Sequence, residues 1–490
     1  MDNLILILYF ITLSVLFIFG SHGFIMLYYH RKYGNKKLKS DDQLNKNAFV
    51  TIQLPIYNEL YVVKRLIDSV CKIDYPKDKF EIQVLDDSTD ETKNIVAELV
   101  AEKQKEGFDI KQIKRINRKG FKAGALREGL RTAKGEFIAI FDADFLPKKD
   151  FLKITLSYFS NENVGMVQTR WEHLNGNYSI LTKTQALALD GHFVIEQTVR
   201  NKAGFFINFN GTGGIWRKYC IEDSGNWQDD TLTEDLDLSY RAQLNGWKFI
   251  FLNDFTSPAE LPSEINALKT QQFRWTKGAI ETAKKILPLV WKSNEPLRIK
   301  LQSTFHLTNN IVFPFILLTA ILNVPLIFIK NSGAHELYFG FLSLFVLAFI
   351  SSFLFYLYSQ KDIRNDWRKT IVLFPLFMAG SMGFAVNNSR AVFEGLLNRK
   401  SEFVRTPKYK VVSSNDTWTD KKYLTKKINV SVIIELIMAA YCFIGVVSSI
   451  YFLEIAALPF HLLFFIGFSF VSITSLRHTF SKKIVSNKIG

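Results

Sequence analysis

Six long apolar runs constrain this chain more than any other feature. The first, Leu4 to Tyr29, contains no Asp, Glu, Lys or Arg, and the others lie at roughly 303–329, 337–358, 371–388, 430–453 and 456–476. About 20 such residues cross a hydrocarbon core of about 30 Å as a helix, because lipid offers the backbone no hydrogen-bond partner. The first run lacks a basic n-region and an A-x-A-like cleavage site, so it reads as a retained anchor. Between it and residue 300 lies a long stretch with the polarity of a water-soluble domain. The expected division is an N-terminal transmembrane anchor at 1–30, a cytosolic domain at 31–300, a transmembrane hairpin at 301–359, a cytosolic interfacial segment at 360–428, and a second hairpin with a basic tail at 429–490.

The net charge is +15 over 490 residues, and its distribution argues against nucleic acid. No zinc spacing, RNP motif or recognition-helix signature accompanies it. The basic residues instead flank the apolar runs. Arg31, Lys32, Lys36, Lys37 and Lys39 follow the first, and Arg364, Arg368 and Lys369 follow the third. Arg390, Arg399, Lys400, Arg405, Lys408, Lys410, Lys421, Lys422, Lys426 and Lys427 precede the fifth, while Lys482 and Lys483 follow the last. Such flanks mark the cytoplasmic face and favour phosphate-bearing partners and lipid headgroups. Run four has basic segments on both sides and carries Pro375, Gly380, Gly383, Asn387 and Asn388, so it reads as an interfacial or re-entrant helix. Five crossings with a cytosolic C-terminus result. Cys71, Cys220 and Cys442 have no spacing for a disulfide framework or a metal site.

In the polar half, strand patterns at 48–55, 80–85, 110–116 and 136–141 alternate with helical patterns, as in βαβ units with a parallel sheet. Ligands of such sheets sit beyond the carboxyl ends of the strands. Asp86-Asp87 and Asp142-Ala143-Asp144 fall there. Asp142 and Asp144 have the spacing to share a nucleotide and a hard divalent ion, Mg²⁺ or Mn²⁺, which takes one or two carboxylates plus phosphate oxygens. Asp86 and Asp87 either accept hydrogen bonds from a base and ribose or serve a helix start. Lys122 is either a phosphate contact or a solvated helix residue. No GxGxxG or GxxxxGK[ST] is present.

Thr233-Glu234-Asp235 opens a helical pattern; Asp235 is either a general base or, with Glu234, a complement to the helix dipole. Gln271 to Trp275 precedes the second apolar run. Trp275 offers a stacking face for a sugar and Arg274 a grip on diphosphate, or the pair belongs to an interfacial belt. The run Phe205 to Gly214, with Phe209, Asn210 and Gly211, allows close backbone approach to a ligand or a bend after a strand.

Taken in order, these runs resemble the processive family 2 glycosyltransferases of the cellulose synthase superfamily, and most of all its cellulose synthase-like A and C group with bacterial relatives. The resemblance rests on Gln83-Val84-Leu85-Asp86-Asp87-Ser88-Thr89-Asp90, Lys122-Ala123-Gly124-Ala125-Leu126 and Ile140-Phe141-Asp142-Ala143-Asp144-Phe145. It continues through Phe209-Asn210-Gly211-Thr212, Gly246-Trp247-Lys248-Phe249 and Gln271-x-x-Arg274-Trp275. It implies an α/β GT-A (Rossmann-like) cytosolic domain joined to an all-α transmembrane domain.

By that resemblance Asp86 or Asp87 contacts the nucleotide, and Asp142 and Asp144 the nucleotide sugar and metal. Asp235, beside Glu234, is the base for inverting attack. Gln271, Arg274 and Trp275, with the Phe209-Asn210-Gly211 run, hold the acceptor and diphosphate. Phe403 to Lys408 is similar to the family's Phe-x-Val-Thr-x-Lys gating loop, with Arg405 in place of Val, so Thr406 and Lys408 become phosphate contacts. The implied activity joins a nucleotide-sugar donor to a glycan acceptor and passes a β-linked hexosan across a bacterial inner membrane, among its lipids. GDP-mannose leading to mannan or glucomannan, and UDP-glucose leading to β-1,4-glucan, are both open. The rival is a single-transfer, ceramide-type lipid glucosyltransferase. The short tail after the last run leaves no cyclic-dinucleotide-sensing barrel in the expectation.

Overall fold

The computed structural model describes residues 2–486 except 35, 37, 39, 41–47, 334, 402, 414 and 425–427, with side chains through residue 480. Of the basic flanks, Lys37, Lys39, Lys426 and Lys427 lie outside the described residues, as do the side chains of Lys482 and Lys483.

Val50–Ile56 and Phe80–Asp86 alternate apolar residues with Thr51, Gln53, Glu81 and Gln83, and both kinds are buried, so the sheet is covered on both faces. These form β1 and β2, followed by β3 (Ile110–Ile113), β4 (Phe137–Ile140), β5 (Val164–His173), β6 (Gly214–Arg217) and β7 (Lys248–Ala259). They make one seven-stranded sheet in the order β3-β2-β1-β4-β6-β5-β7. β1 pairs in parallel with β2 and β4, and β2 with β3. The sheet is mixed rather than wholly parallel, because β6 runs against both β4 and β5. The chain enters β6 through Gly211 and Gly213, whose φ values of 79° and 67° favour glycine.

Helices Val63–Val70 and Thr92–Lys105 cover one face, burying Leu66, Ile67, Val96 and Leu99 against Ile52, Leu54 and Val84. Helices Phe121–Arg131 and Glu234–Leu244 cover the other with Leu126, Leu130 and Leu238. Every residue of β2 is buried, including Glu81, whose carboxylate accepts from Thr51 Oγ1 at 2.8 Å, Lys111 Nζ at 2.9 Å and Lys134 N at 2.7 Å. Paired in this way, the buried charge keeps its polar partners. The carboxyl ends of β1, β2 and β4 all point to one edge of the sheet.

Helix Ile265–Lys292 carries the sheet domain into the apolar half. Glu264 caps it, its carboxylate accepting from the amides of Asn266 at 2.8 Å and Ala267 at 2.7 Å. Farther along, Lys269 pairs with buried Glu435 at 2.7 Å. Among the described residues, five helices are long and apolar enough to cross a membrane: Asp2–Tyr33, Leu297–Asn331, Glu336–Ile363, Val430–Tyr451 and Leu458–Phe480. They mark the chain as a membrane protein. The fourth apolar run forms two helices, Trp367–Gly383 and Ala385–Leu396, bent by 46°.

Small residues let these helices approach closely. A Cβ on Gly467 would stand 2.1 Å from the Ala379 carbonyl oxygen, and one on Gly383 would stand 2.3 Å from that of Gly467. Gly467→Val should therefore pry the two helices apart and lower the thermal unfolding midpoint in detergent by at least about 3 °C, in line with the cost of overpacking. An unchanged midpoint would show that this contact carries no stability.

Candidate active site

A cavity of about 170 Å³ opens beyond the strand ends, where β1, β2, β4 and β7 release the chain into loops. Asp142 and Asp144 follow β4. Asp142 Oδ1 accepts from Lys122 Nζ at 2.5 Å, and Asp144 Oδ2 accepts from Lys408 Nζ at 2.6 Å. Each carboxylate thus gives one oxygen to an ammonium and keeps a second. Lys122 also donates to the Gly211 carbonyl oxygen at 2.9 Å. A side chain at residue 211 would crowd this point, since its Cβ would lie 3.0 Å from Asp235 Oδ2. The glycine and its positive φ let the loop close over Lys122.

Glu234 and Asp235 open helix Glu234–Leu244, and both line the cavity. Burial raises both carboxyls; for Asp235 the neighbouring Glu234 charge adds to the rise, while Lys122 opposes it in each. Burial disfavours the charge on Lys122 too, yet Asp142, Glu234 and Asp235 hold its pKa above the ordinary lysine value. Arg274 reaches in from helix Ile265–Lys292. Burial lowers its pKa, against the charges of Glu234, Asp142, Asp235 and Asp144. It keeps its charge, as guanidinium groups do. Its guanidinium carbon lies 4.4 Å from the Phe403 ring centre. Gln271 and Trp275, on the same helix, line the same cavity.

The segment from Phe403 to Lys408 contributes Phe403, Arg405, Thr406 and Lys408 to the cavity lining. Arg405 pairs with Glu59 at 3.1 Å, Lys408 Nζ also donates to the Glu260 carbonyl oxygen at 3.0 Å, and Thr406 lines the wall. Burial pushes the Glu59 carboxyl up to about 8, with Arg405 opposing. Thus Asp87, Lys122, Asp142, Asp144, Asn210, Gly211, Glu234, Asp235, Gln271, Arg274, Trp275, Thr406 and Lys408 all come together at one cavity.

Two expected residues do not. Asp86 is buried with its carboxylate spent on Gln112 Nε2 at 2.7 Å and Ser88 N at 2.9 Å, so it braces the β2 end and leaves the cavity to Asp87. Phe209 is wholly buried, packed edge-on against Trp216 at 5.5 Å, and only its neighbours Asn210 and Gly211 reach the cavity. Asp87 is held by Arg115, whose Nε donates to Oδ1 at 2.9 Å and whose Nη2 donates to Oδ2. Tyr57, Glu59, Arg118 and Glu260 also line the cavity without having been foreseen. Arg118 stacks on Tyr57 with its guanidinium carbon 3.3 Å from the ring centre. The strand-end rule that picks Asp87 and Asp142 applies equally to Tyr57 and Glu59 after β1 and to Glu260 after β7; nothing local marks Arg118.

Among the described residues no three His, Cys, Asp or Glu side chains gather to hold a metal ion. The available donors are the two carboxylates after β4, hard oxygens that suit Mg²⁺ or Mn²⁺ when phosphate and water complete the shell. The residues present therefore fit such an ion.

Residues 47–278 match the family "Glycosyltransferase like family 2". Over 287 residues the chain is 41% identical to probable glucomannan 4-beta-mannosyltransferase 7 of Oryza sativa subsp. japonica, covering 56% of this chain and 49% of that protein. It is 42% identical over 263 residues to glucomannan 4-beta-mannosyltransferase 1 of Cyamopsis tetragonoloba, covering 52% and 50%. Glucomannan 4-beta-mannosyltransferase 2 of Arabidopsis thaliana is 40% identical over 264 residues, covering 52% and 49%. The chain spans about half the length of the curated relatives it matches. Among solved structures, the mannosyltransferase PcManGT from Pyrobaculum calidifontis in complex with GDP-Man and Mn2+ superposes with a TM-score of 0.54 at 19% identity, over 79% of this chain and 100% of that one. That likeness is one of fold. Residues 47–278, folded as a GT-A domain, are the part of the chain that is similar to glycosyltransferase family 2.

Proposed function

We propose that the chain is an inverting hexosyltransferase that extends a β-linked mannan or glucomannan from GDP-mannose. The observation that carries this reading is the single cavity in which Asp235, Asp142 and Asp144 meet Lys122, Arg274 and Lys408. The sugar comes from the relatives, three of which are named as glucomannan 4-beta-mannosyltransferases. The nucleotide lies over the carboxyl ends of β1 and β2, beside Asp87 and the Tyr57–Arg118 stack. Asp142 and Asp144 are the residues that would hold Mg²⁺ or Mn²⁺, which neutralises charge on the departing diphosphate when bound.

Asp235 takes the proton from the acceptor hydroxyl. That oxygen bonds to the sugar anomeric carbon as the bond to the diphosphate breaks on the opposite face, which inverts the configuration. Lys122, Arg274 and Lys408 stabilise the negative charge that the leaving group acquires. Trp275 offers the acceptor sugar a stacking surface, and Gln271 a hydrogen-bonding amide.

Passage of the product through the membrane region is the further part of the reading. A second cavity, about 620 Å³, supports it; rings of Tyr9 and Phe349 line it together with Thr319, Asn323 and Ser352. The sheet domain then faces the cytoplasm, as the basic flanks direct. The relatives cited come from plants, so they lend no support to a bacterial inner membrane.

Asp235→Asn should cut transfer by at least about 10³-fold, as loss of a general base does, while GDP affinity stays within about threefold; surviving transfer would require another base. The raised Asp235 carboxyl must be ionised to work, so kcat/KM should fall on acidification at a pH above the ordinary aspartate value of about 3.9. A profile flat down to about pH 4.5 would remove Asp235 from the proton transfer. Asp144→Ala should weaken GDP binding in Mn²⁺ by about tenfold or more and abolish the gain that Mn²⁺ gives. Equal affinities with and without the substitution would take Asp144 out of the nucleotide site.

A further inference from the structure

β5 ends with Trp171 and His173, two residues apart and therefore on the same face of the strand. Both line the catalytic cavity. In the sheet order, β5 lies beyond β4 and β6 from β1 and β2, whose ends form the proposed nucleotide side. The wall they form thus belongs to the part of the cavity left for the acceptor, along with Gln271 and Trp275.

His173 is not a loose surface imidazole. Its Nε2 lies 3.1 Å from Asp190 Oδ1, with both side chains more than nine-tenths buried. Asp190 Oδ2 accepts from Gln360 Nε2 at 3.2 Å and faces Arg364 Nη2 at 3.5 Å. Burial alone would raise the Asp190 carboxyl; the His173 bond and the Arg364 charge hold it below its usual value. An ionised carboxylate only accepts, so Nε2 carries the proton, and in the neutral ring Nδ1 keeps its lone pair. Among the described residues Nδ1 meets no hydrogen-bond partner.

We propose that His173 contacts the acceptor, its Nδ1 accepting a hydrogen bond from a hydroxyl of the sugar at the growing end, and that Asp190 is a positioning residue which fixes the imidazole. This rests on the glycan-extending function proposed above. It also ties the acceptor wall to helix Glu336–Ile363, since Gln360 and Arg364 hold the other oxygen of Asp190.

The test uses the full chain in detergent, with GDP-mannose and β-1,4-manno-oligosaccharides as added acceptors. His173→Leu should raise the acceptor KM about tenfold, the loss of one hydrogen bond, with donor KM within about twofold. His173→Asn, which restores an amide oxygen as acceptor, should recover part of that loss. Asp190→Asn should raise acceptor KM in the same direction, because an amide no longer dictates the tautomer. An unchanged acceptor KM in His173→Leu, or donor and acceptor KM rising together in all three variants, would overturn the assignment. If the unsubstituted chain transfers nothing from GDP-mannose, the functional reading fails and this one with it; if it does transfer, the variants judge His173 alone.

Discussion

The structure depends on charges buried together at the strand ends. Asp142, Asp144, Glu234 and Asp235 would repel one another in a dry cavity, and each unpaired ion there would cost several kcal/mol. Lys122, Arg274 and Lys408 prevent this, and they arrive from three distant parts of the sequence. Lys122 comes with a helix of the sheet domain, Arg274 with the long helix leading to the apolar half, and Lys408 with the segment from Phe403 to Lys408. Assembling the site therefore requires the whole chain to fold around it. A phosphate-bearing ligand would share these cations, and the two ammonium groups now on Asp142 and Asp144 are the ones such a ligand would engage.

The same logic binds the sheet domain to the apolar helices. Lys277 is wholly buried, one turn past Arg274, and donates to Ser401 Oγ at 2.7 Å and to the Arg399 carbonyl oxygen. It thereby anchors the chain just before the segment from Phe403 to Lys408 to the helix that carries Arg274 and Trp275. Beyond that segment, Tyr423 bonds to Asp90 and Lys422 Nζ donates to Glu91 at 2.5 Å, fastening its far side to the start of helix Thr92–Lys105. The segment between is thus held at both ends by charged and hydrogen-bonded contacts.

Much of this is legible in the sequence. The apolar runs became long helices because lipid leaves the backbone no alternative, and Asp87, Asp142 and Asp144 followed from the rule that parallel strands present ligands at their carboxyl ends. The antiparallel β6 was not legible: four residues behind two glycines give no periodicity to read. Asp86 was indistinguishable from Asp87 because neighbouring residues at a strand end point to opposite sides, and Gln112, which claims Asp86, lies on another strand. Phe209 sits in a motif whose ligand-facing members are its neighbours, so resemblance alone could not separate them. Arg405, the departure from the gating pattern, acquires its reason only in three dimensions, as the partner of Glu59.

The central claim is that these assembled charges serve polymerisation from GDP-mannose. The measurement that addresses it most directly is product analysis with the purified, detergent-solubilised chain, given labelled GDP-mannose or UDP-glucose in parallel with Mn²⁺. A long product from GDP-mannose that an endo-β-mannanase degrades is expected. A single sugar attached to lipid, or a polymer formed from UDP-glucose alone, would contradict it.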